Sequence, residues 1–279
     1  MNRMTMQPVD TVNQVFTAIQ QVKSNASAFC TNLFPVPQKL QNWVDHEELF
    51  CELHSGAAFF FRKDRDFWRL YFCAANGEAL KREFMALPDV KIKSMVMDLI
   101  ERETASDSLL PIMKSIGFQL YARLCRMARP GSPDSQPLSS GDLQPVYAGN
   151  EDIQAVFDIL SASFDHYAEQ LPTIYEIEAA INNRQILMIK HVQTLAGLLF
   201  FETQGITSTI RYWVVAEKFQ TLRHGSALMR AYFATHAAIK RFNLWVIANN
   251  QPAILRYQHY GYTSDKLVDH VLVNEVIRT

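Results

Sequence analysis

No two of the four cysteines are spaced as Cys-x-x-Cys, and no histidines stand at His-x-His or zinc-finger spacing. Neither a metal site nor a disulfide framework is expected, and Cys30, Cys51, Cys73 and Cys125 read as buried free thiols in a reducing cytoplasm. An excess of charge is missing too. The 27 basic and 28 acidic residues leave a formal net charge of −1, which gives no electrostatic reason to expect nucleic acid as partner. No apolar run nears the length that crosses a bilayer, so no membrane partner is expected. The opening MNRMTMQPVDTVNQVF lacks an apolar core followed by a small-residue cleavage site, and secretion is not expected. What is present is 48% hydrophobic and 20% charged, the balance of a globular protein. At 279 residues, two domains are the first expectation.

The boundary between them is read at RPGSPDSQPLSSGD, residues 129–142. It is dense in Pro, Gly, Ser and Asp and has no apolar periodicity, which is the composition of a linker. This divides the chain into 1–128, a linker over 129–142, and 143–279. In the last part LQPVYA (143–148) reads as a strand. In NEDIQAVFDILSASF (150–164), Ile153, Val156, Phe157, Leu160 and Phe164 recur at helical steps. TIYEIEAAINN (173–183) is a second helix. QILMIK (185–190) and LAGLLFFE (195–202), joined by HVQT, read as an antiparallel hairpin, and TSTIRYWVVA (207–216) as a third strand. A helix follows from about Ser226 to Lys240, with Ala227, Ala231, Ala234 and Ala238 on one face. Then come strand NLWVIA (243–248), helix QPAILRYQHY (251–260) and strand DHVLVNEVI (269–277). The fold class is α/β with a mixed sheet.

Two segments carry chemistry. FQTLRHGSALM (219–229) joins a strand to a helix, and the unpaired N–H groups of a helix start favour an anion, above all a phosphate. Gly225 and Ser226 keep that start free of bulk. NNQPAILRYQHYGY (249–262) contains the pattern Asn250-x-x-Ala253-x-x-x-Tyr257-x-x-x-Gly261-Tyr262. Asn250 suits an N-cap, Pro252 the first turn and Gly261 a helix stop.

Together they resemble the GNAT acyltransferase superfamily. Its Q/R-x-x-G-x-G/A turn is similar to Gln220-Thr221-Leu222-Arg223-His224-Gly225, and its N-x-x-A-x-x-x-Y-x-x-x-G-F helix to Asn250–Tyr262. The element order over 143–279 is similar as well. The resemblance implies an acyl-coenzyme A N-acyltransferase fold. It also implies acetyl-coenzyme A, or another acyl-coenzyme A, as co-substrate and a small-molecule or peptide amine as acceptor. By the same resemblance Val215 and its strand neighbours would contact the pantetheine arm, Gln220, Thr221, Leu222, Arg223, His224, Gly225 and Ser226 would hold the pyrophosphate, and Asn250 would bond the cofactor arm or cap its helix. Tyr257 would protonate the leaving thiolate. The turn departs from the pattern at Arg223, which stands where the family has a glycine; if φ is positive there, an arginine is strained.

No carboxylate occupies the strand position from which many family members draw a base. Glu202 is one candidate, and Asp165 and His166 are candidates for the acceptor side. His224 reads most simply as a surface side chain. A coenzyme A-binding module without transferase activity stays open as the alternative, as do O-acylation, a longer donor and the oligomeric state.

The first half carries an echo of the second. Gly117 and Gly261 stand 144 positions apart, each between a helix and a strand, and FWRLYFC (67–73) falls at nearly the same offset from RYWVVAE (211–217). The implied arrangement is a tandem of GNAT-like lobes with a degenerate first copy. No Q/R-x-x-G-x-G/A turn follows LYFCAANGEALKREF (70–84), and Met113 takes the place of Tyr257. RKDRD (62–66) reads as a solvated hairpin turn.

Overall fold

The computed structural model describes residues 6–87, 94–105, 108–131, 144–192 and 194–274. Outside these lie most of the linker expected over 129–142, residue 193 of the HVQT turn, residues 1–5 of the N-terminal segment, and 275–277 of the closing strand. The chain divides into two compact units, one formed by residues up to Arg123 together with those from Val268 on, the other by Leu124–Leu267. Among the described residues no helix is long and apolar enough to cross a membrane.

The first unit runs β1 (Gln7–Pro8), α1 (Val12–Ser24), β2 (Cys30–Thr31), α2 (Pro37–Asp45), β3 (Leu49–Leu53), β4 (Ala57–Asp64), β5 (Phe67–Ala74), α3 (Gly77–Met85), β6 (Met95–Arg102), α4 (Leu110–Ser115) and the start of β7 (Phe118–Pro130). Its strands are ordered β1-β3-β4-β5-β6, all antiparallel except the parallel β5–β6 pair. Alternation on β4 and β5 sends Phe59, Phe61, Leu70 and Phe72 to one face, with α3 and α4, and Phe60, Tyr71 and Cys73 to the other, with α1 and α2. The same alternation corrects the solvated-turn reading of 62–66 in part: the hairpin turn is at 65–66, and Lys63, Arg65 and Asp66 are exposed, but Arg62 and Asp64 are not. Strand β4 continues to Asp64, so Arg62 and Asp64 point inward and are 3% and 2% exposed. Arg62 pairs with Glu48 and lies over the Trp43 ring, while Asp64 accepts from Arg65 and from the buried Arg69.

The second unit runs from the end of β7 through β8 (Val146–Tyr147), a 3-10 turn (Asn150–Asp152), α5 (Ile153–Ser163), α6 (Ile174–Asn182), β9 (Ile186–His191), β10 (Thr194–Gln204), β11 (Thr207–Val215), a 3-10 helix (Glu217–Leu222), α7 (His224–Thr235), β12 (Arg241–Ile247), α8 (Gln251–His259) and β13 (Thr263–Asn274), whose residues from Val268 on count with the first unit. Its strands are ordered β7-β12-β11-β10-β9-β8. Ile186, Met188, Leu198 and Phe200 face α5 and α6, whereas Leu187, Ile189, Leu199 and Phe201 face α7. Helix α6 begins on a reciprocal cap: the Glu176 N–H donates to Thr173 Oγ1, and the Thr173 N–H to the Glu176 carboxylate. Helix α7 is shorter than its apolar pattern predicts. It ends at Thr235, where Oγ1 donates back to the Ala231 carbonyl, so Ala227 and Ala231 are buried but Ala238 lies beyond the helix and is exposed.

Apart from β2 between α1 and α2, the chain runs twice through one order, from β1 to β7 and from β8 to β13: strand, two helices, a hairpin, a strand, helix, strand, helix, strand. The repeated glycines do the same local work. Gly117 and Gly261 both follow a helix with positive φ, +101° and +81°, and neither would meet a neighbour if a Cβ were added. Backbone conformation, not space, calls for glycine there.

Candidate active site

The turn after β11 is shaped by one inward side chain. Phe219 is buried in the core under α7, which leaves Gln220, Thr221 and Leu222 exposed above it. Arg223 then takes φ +59° and ψ +15°, the left-handed conformation that a glycine would hold without strain. Helix α7 follows with no side-chain cap. Its first intrahelical bond runs from Ala227 N to the Arg223 carbonyl, so the N–H groups of His224, Gly225 and Ser226 come before any such bond. This end of α7 suits an anion.

Beside it, β11 leaves its neighbour. The parallel pairing with β12 runs from Thr207↔Arg241 to Ile210↔Leu244; among the described residues none continues past it, although β11 extends to Val215 and β12 to Ile247. The parting coincides with a bulge. Phe201 pairs with Ile210 and Phe200 with Tyr212, which leaves Arg211 as the extra residue. The bulge resets the facing of the strand: Ile210 lies in the α7 core, Tyr212 in the α5–α6 core, and Trp213 and Val215 again against α7. The main chain of 211–215 therefore presents an edge that an extended ligand arm fits.

Tyr257 projects from α8 toward Trp213, with ring centroids 5.6 Å apart. Burial raises its phenol well above the ordinary value, the charge of Glu169 raises it further and Arg256 partly offsets this, so the hydroxyl stays protonated at neutral pH. Glu169 sits in the loop after α5. Burial pushes its carboxyl up to about 7, against a hydrogen bond from the Asp165 N–H that favours the charged form, while the Asp165 charge adds to the rise. The loop is hung on the strand: the Tyr212 hydroxyl lies 2.9 Å and 2.6 Å from the carbonyls of Glu169 and Gln170 and donates to that pair. The Glu169 carboxylate thus acts on the Tyr257 phenol, holding it in the protonated form.

The other expected residues take definite places. Gln220 donates from Nε2 to the Val215 carbonyl at 3.4 Å, and Ser226 Oγ accepts from the Tyr260 hydroxyl at 3.1 Å. Asn250 caps α8, with Oδ1 accepting from Ala253 N. Glu202 pairs with Arg211 at 3.4 Å. Asp165 shapes its own loop by accepting from the N–H groups of Tyr167 and Ala168, and the His166 ring leans on Tyr167 at 4.1 Å. His224 is not the surface side chain expected. It is 1% exposed and lies against Phe219, and burial, with His191 nearby, lowers its pKa. Sequence reasoning missed Glu169, the bulge and the position of Trp213. Glu169 stands in a run with Asp165 and His166, four residues past the first; all three are half-buried, and nothing in the sequence marks which of them has its pKa raised by its surroundings. Among the described residues no cluster of three or more His, Cys, Asp and Glu is placed to hold a metal ion.

Residues 153–262 match the family model described as the acetyltransferase (GNAT) family. No curated protein matches the chain. Among solved structures, a tandem GNAT protein from the clavulanic acid biosynthesis pathway is 11% identical with a TM-score of 0.63, over 96% of this chain and 97% of the other. A GCN5-related N-acetyltransferase from Kribbella flavida is 13% identical with a TM-score of 0.57, over 85% and 93%. A GNAT-family acetyltransferase from Colwellia psychrerythraea is 11% identical with a TM-score of 0.55, over 97% and 99%. At these identities the likeness is one of fold.

Proposed function

We propose, from the match of residues 153–262 to the acetyltransferase (GNAT) family model, that the protein is an acyl-coenzyme A-dependent N-acyltransferase that passes an acetyl group to an amine. The observation that carries the reading is the parting of β11 from β12 after Ile210, beside the uncapped start of α7. A bound acyl-coenzyme A supplies an acyl group activated as a thioester. The residues present fit such a donor: the N–H groups of His224, Gly225 and Ser226 and the exposed Arg223 guanidinium meet the pyrophosphate, and the free edge of 211–215 meets the pantetheine arm. A main-chain N–H on this edge polarises the carbonyl under attack.

The remaining work is proton transfer between this chain and the two substrates. Glu169 takes a proton from the attacking amine as the C–N bond forms, and the Tyr257 hydroxyl gives one to the sulfur as the C–S bond breaks. Glu202 is less suited to the first role, because the Arg211 cation beside it holds its carboxylate in an ion pair. Alignment of amine and carbonyl supplies most of the acceleration.

Calorimetry with acetyl-coenzyme A and a thiol-release assay over an amine panel test the reading. Saturable binding, with turnover that falls about 100-fold in Tyr257→Phe at unchanged donor affinity, is expected. Absence of binding at millimolar ligand would remove the donor, and an unchanged rate would remove the acid role of Tyr257.

A further inference from the structure

We propose that the indole of Trp213 closes the acyl end of the donor site, so that the protein accepts an acetyl group and rejects longer chains; this rests on the donor reading above. The bulge at Arg211 turns Trp213 toward α7, and the ring fills the corner between the first turn of α7 and α8. A Cβ on Gly225 would stand 3.1 Å from Trp213 Cζ2, so the absence of a side chain at 225 is matched to the indole as well as to the phosphates. On the other side the ring meets Tyr257 at 5.6 Å and Tyr260 edge-on at 5.7 Å, and the Arg256 guanidinium lies 5.9 Å away. The corner is locked, because Tyr260 donates to Ser226 Oγ on α7.

Tyr257 serves the donor sulfur, so the acyl carbons begin next to it. The volume into which a longer chain would run on this face already holds the indole. A second observation points to a ligand at the same place. The Trp213 Nε1–H is buried without a hydrogen-bond partner and lies 3.6 Å from the Cβ position of Gly225, on the side of the uncapped helix start. A buried indole N–H ordinarily finds an acceptor; a carbonyl of the bound donor supplies one.

The test measures affinities by calorimetry for coenzyme A, acetyl-coenzyme A and octanoyl-coenzyme A with the full chain, so no acceptor is needed. The intact protein is expected to bind the octanoyl form about 100-fold more weakly than the acetyl form. Trp213→Leu, shown to be folded by its thermal transition, is expected to bring the two within a few-fold. Equal affinity of the intact protein for both forms overturns the proposal without touching the donor reading, and so does a folded Trp213→Leu that keeps the full discrimination. If coenzyme A itself fails to bind, the donor reading falls and this inference with it. Should the leucine variant not fold, Trp213→Phe and the profile of the intact protein still decide.

Discussion

Arg223 holds a backbone conformation that favours glycine, at the start of a helix whose N–H groups are open. An L side chain in the left-handed region costs about 1 kcal/mol, and glycine's larger unfolded-state freedom returns part of any gain. Arg223→Gly is therefore expected to stabilise the fold by about 0.5 kcal/mol in a urea titration. The same change removes an exposed cation beside the helix start. Affinity for coenzyme A should drop a few-fold at low salt, and the difference should narrow in molar salt. Tighter binding would instead make the arginine an obstruction. Glu169 gives a second residue-scale prediction. With its carboxyl at about 7, it is ionised, and able to act as base, only above that pH. The rate should rise through about pH 7 and level off, and Glu169→Gln should lower the plateau about 100-fold and remove that limb. His166→Asn should leave it in place. The stability effect has the opposite trend. A carboxyl whose pKa is raised on folding takes up a proton in the folded state, so its contribution is present below the unfolded value and is lost as pH rises to about 7. A stability–pH slope that is the same in Glu169→Gln would contradict this.

The elements around the site are held by few polar ties, and these can be cut singly. The loop carrying Glu169 hangs on the Tyr212 hydroxyl, whose ring also packs on Phe164 and Phe200. Tyr212→Phe keeps the ring and removes the donor, with an expected cost of about 1–2 kcal/mol and faster amide exchange over 165–171 than over β11. Exchange that is unchanged in the loop would show that the hydroxyl does not position it. The elements themselves were legible because helical steps in α5, the cap before α6 and alternation in β9–β11 are local signals. Gly261, Asn250 and the turn after β11 were legible as spacing. The bulge at Arg211 was not, since it comes from the register between two strands, and an arginine there does not mark it. Burial of charge was also hidden. Arg62, Asp64 and His224 read as exposed by residue type, but Glu48 and Arg69 come beside the first two through the packing of β3, β4 and β5, and Phe219 covers His224 through the fold of the turn itself.

At the scale of the whole chain, two units of closely similar element order differ in whether the place proposed for the donor is open. In the second unit β11 parts from β12 and its edge is free. In the first unit, among the described residues, β5 and β6 pair over Trp68↔Met95 and Arg69↔Val96 and no further, and the chain fills the parting itself. Strand β2 pairs with β5 through Cys30 and Thr31. Asn32 then donates from Nδ2 to the carbonyls of Leu70 and Asp98 at 3.0 and 3.1 Å, and accepts from Phe72 N at 2.7 Å. These are the main-chain groups that a pantetheine arm would need. The helix start is closed as well: Asn76 caps α3 by accepting from Ala79 N, Ile112 lies against Gly77, and Met113, where the second unit has Tyr257, is fully buried. The chain is therefore expected to bind one equivalent of coenzyme A, and native mass spectrometry at saturating ligand reads the number directly. Two equivalents would mean that the segment at 30–33 yields to the ligand. Asn32→Ala sharpens the point, because it leaves Phe72 N and two buried carbonyls without partners. It should cost about 2–4 kcal/mol of stability and still give one equivalent, since removing three hydrogen bonds from a filled parting weakens the unit without emptying the place that β2 occupies.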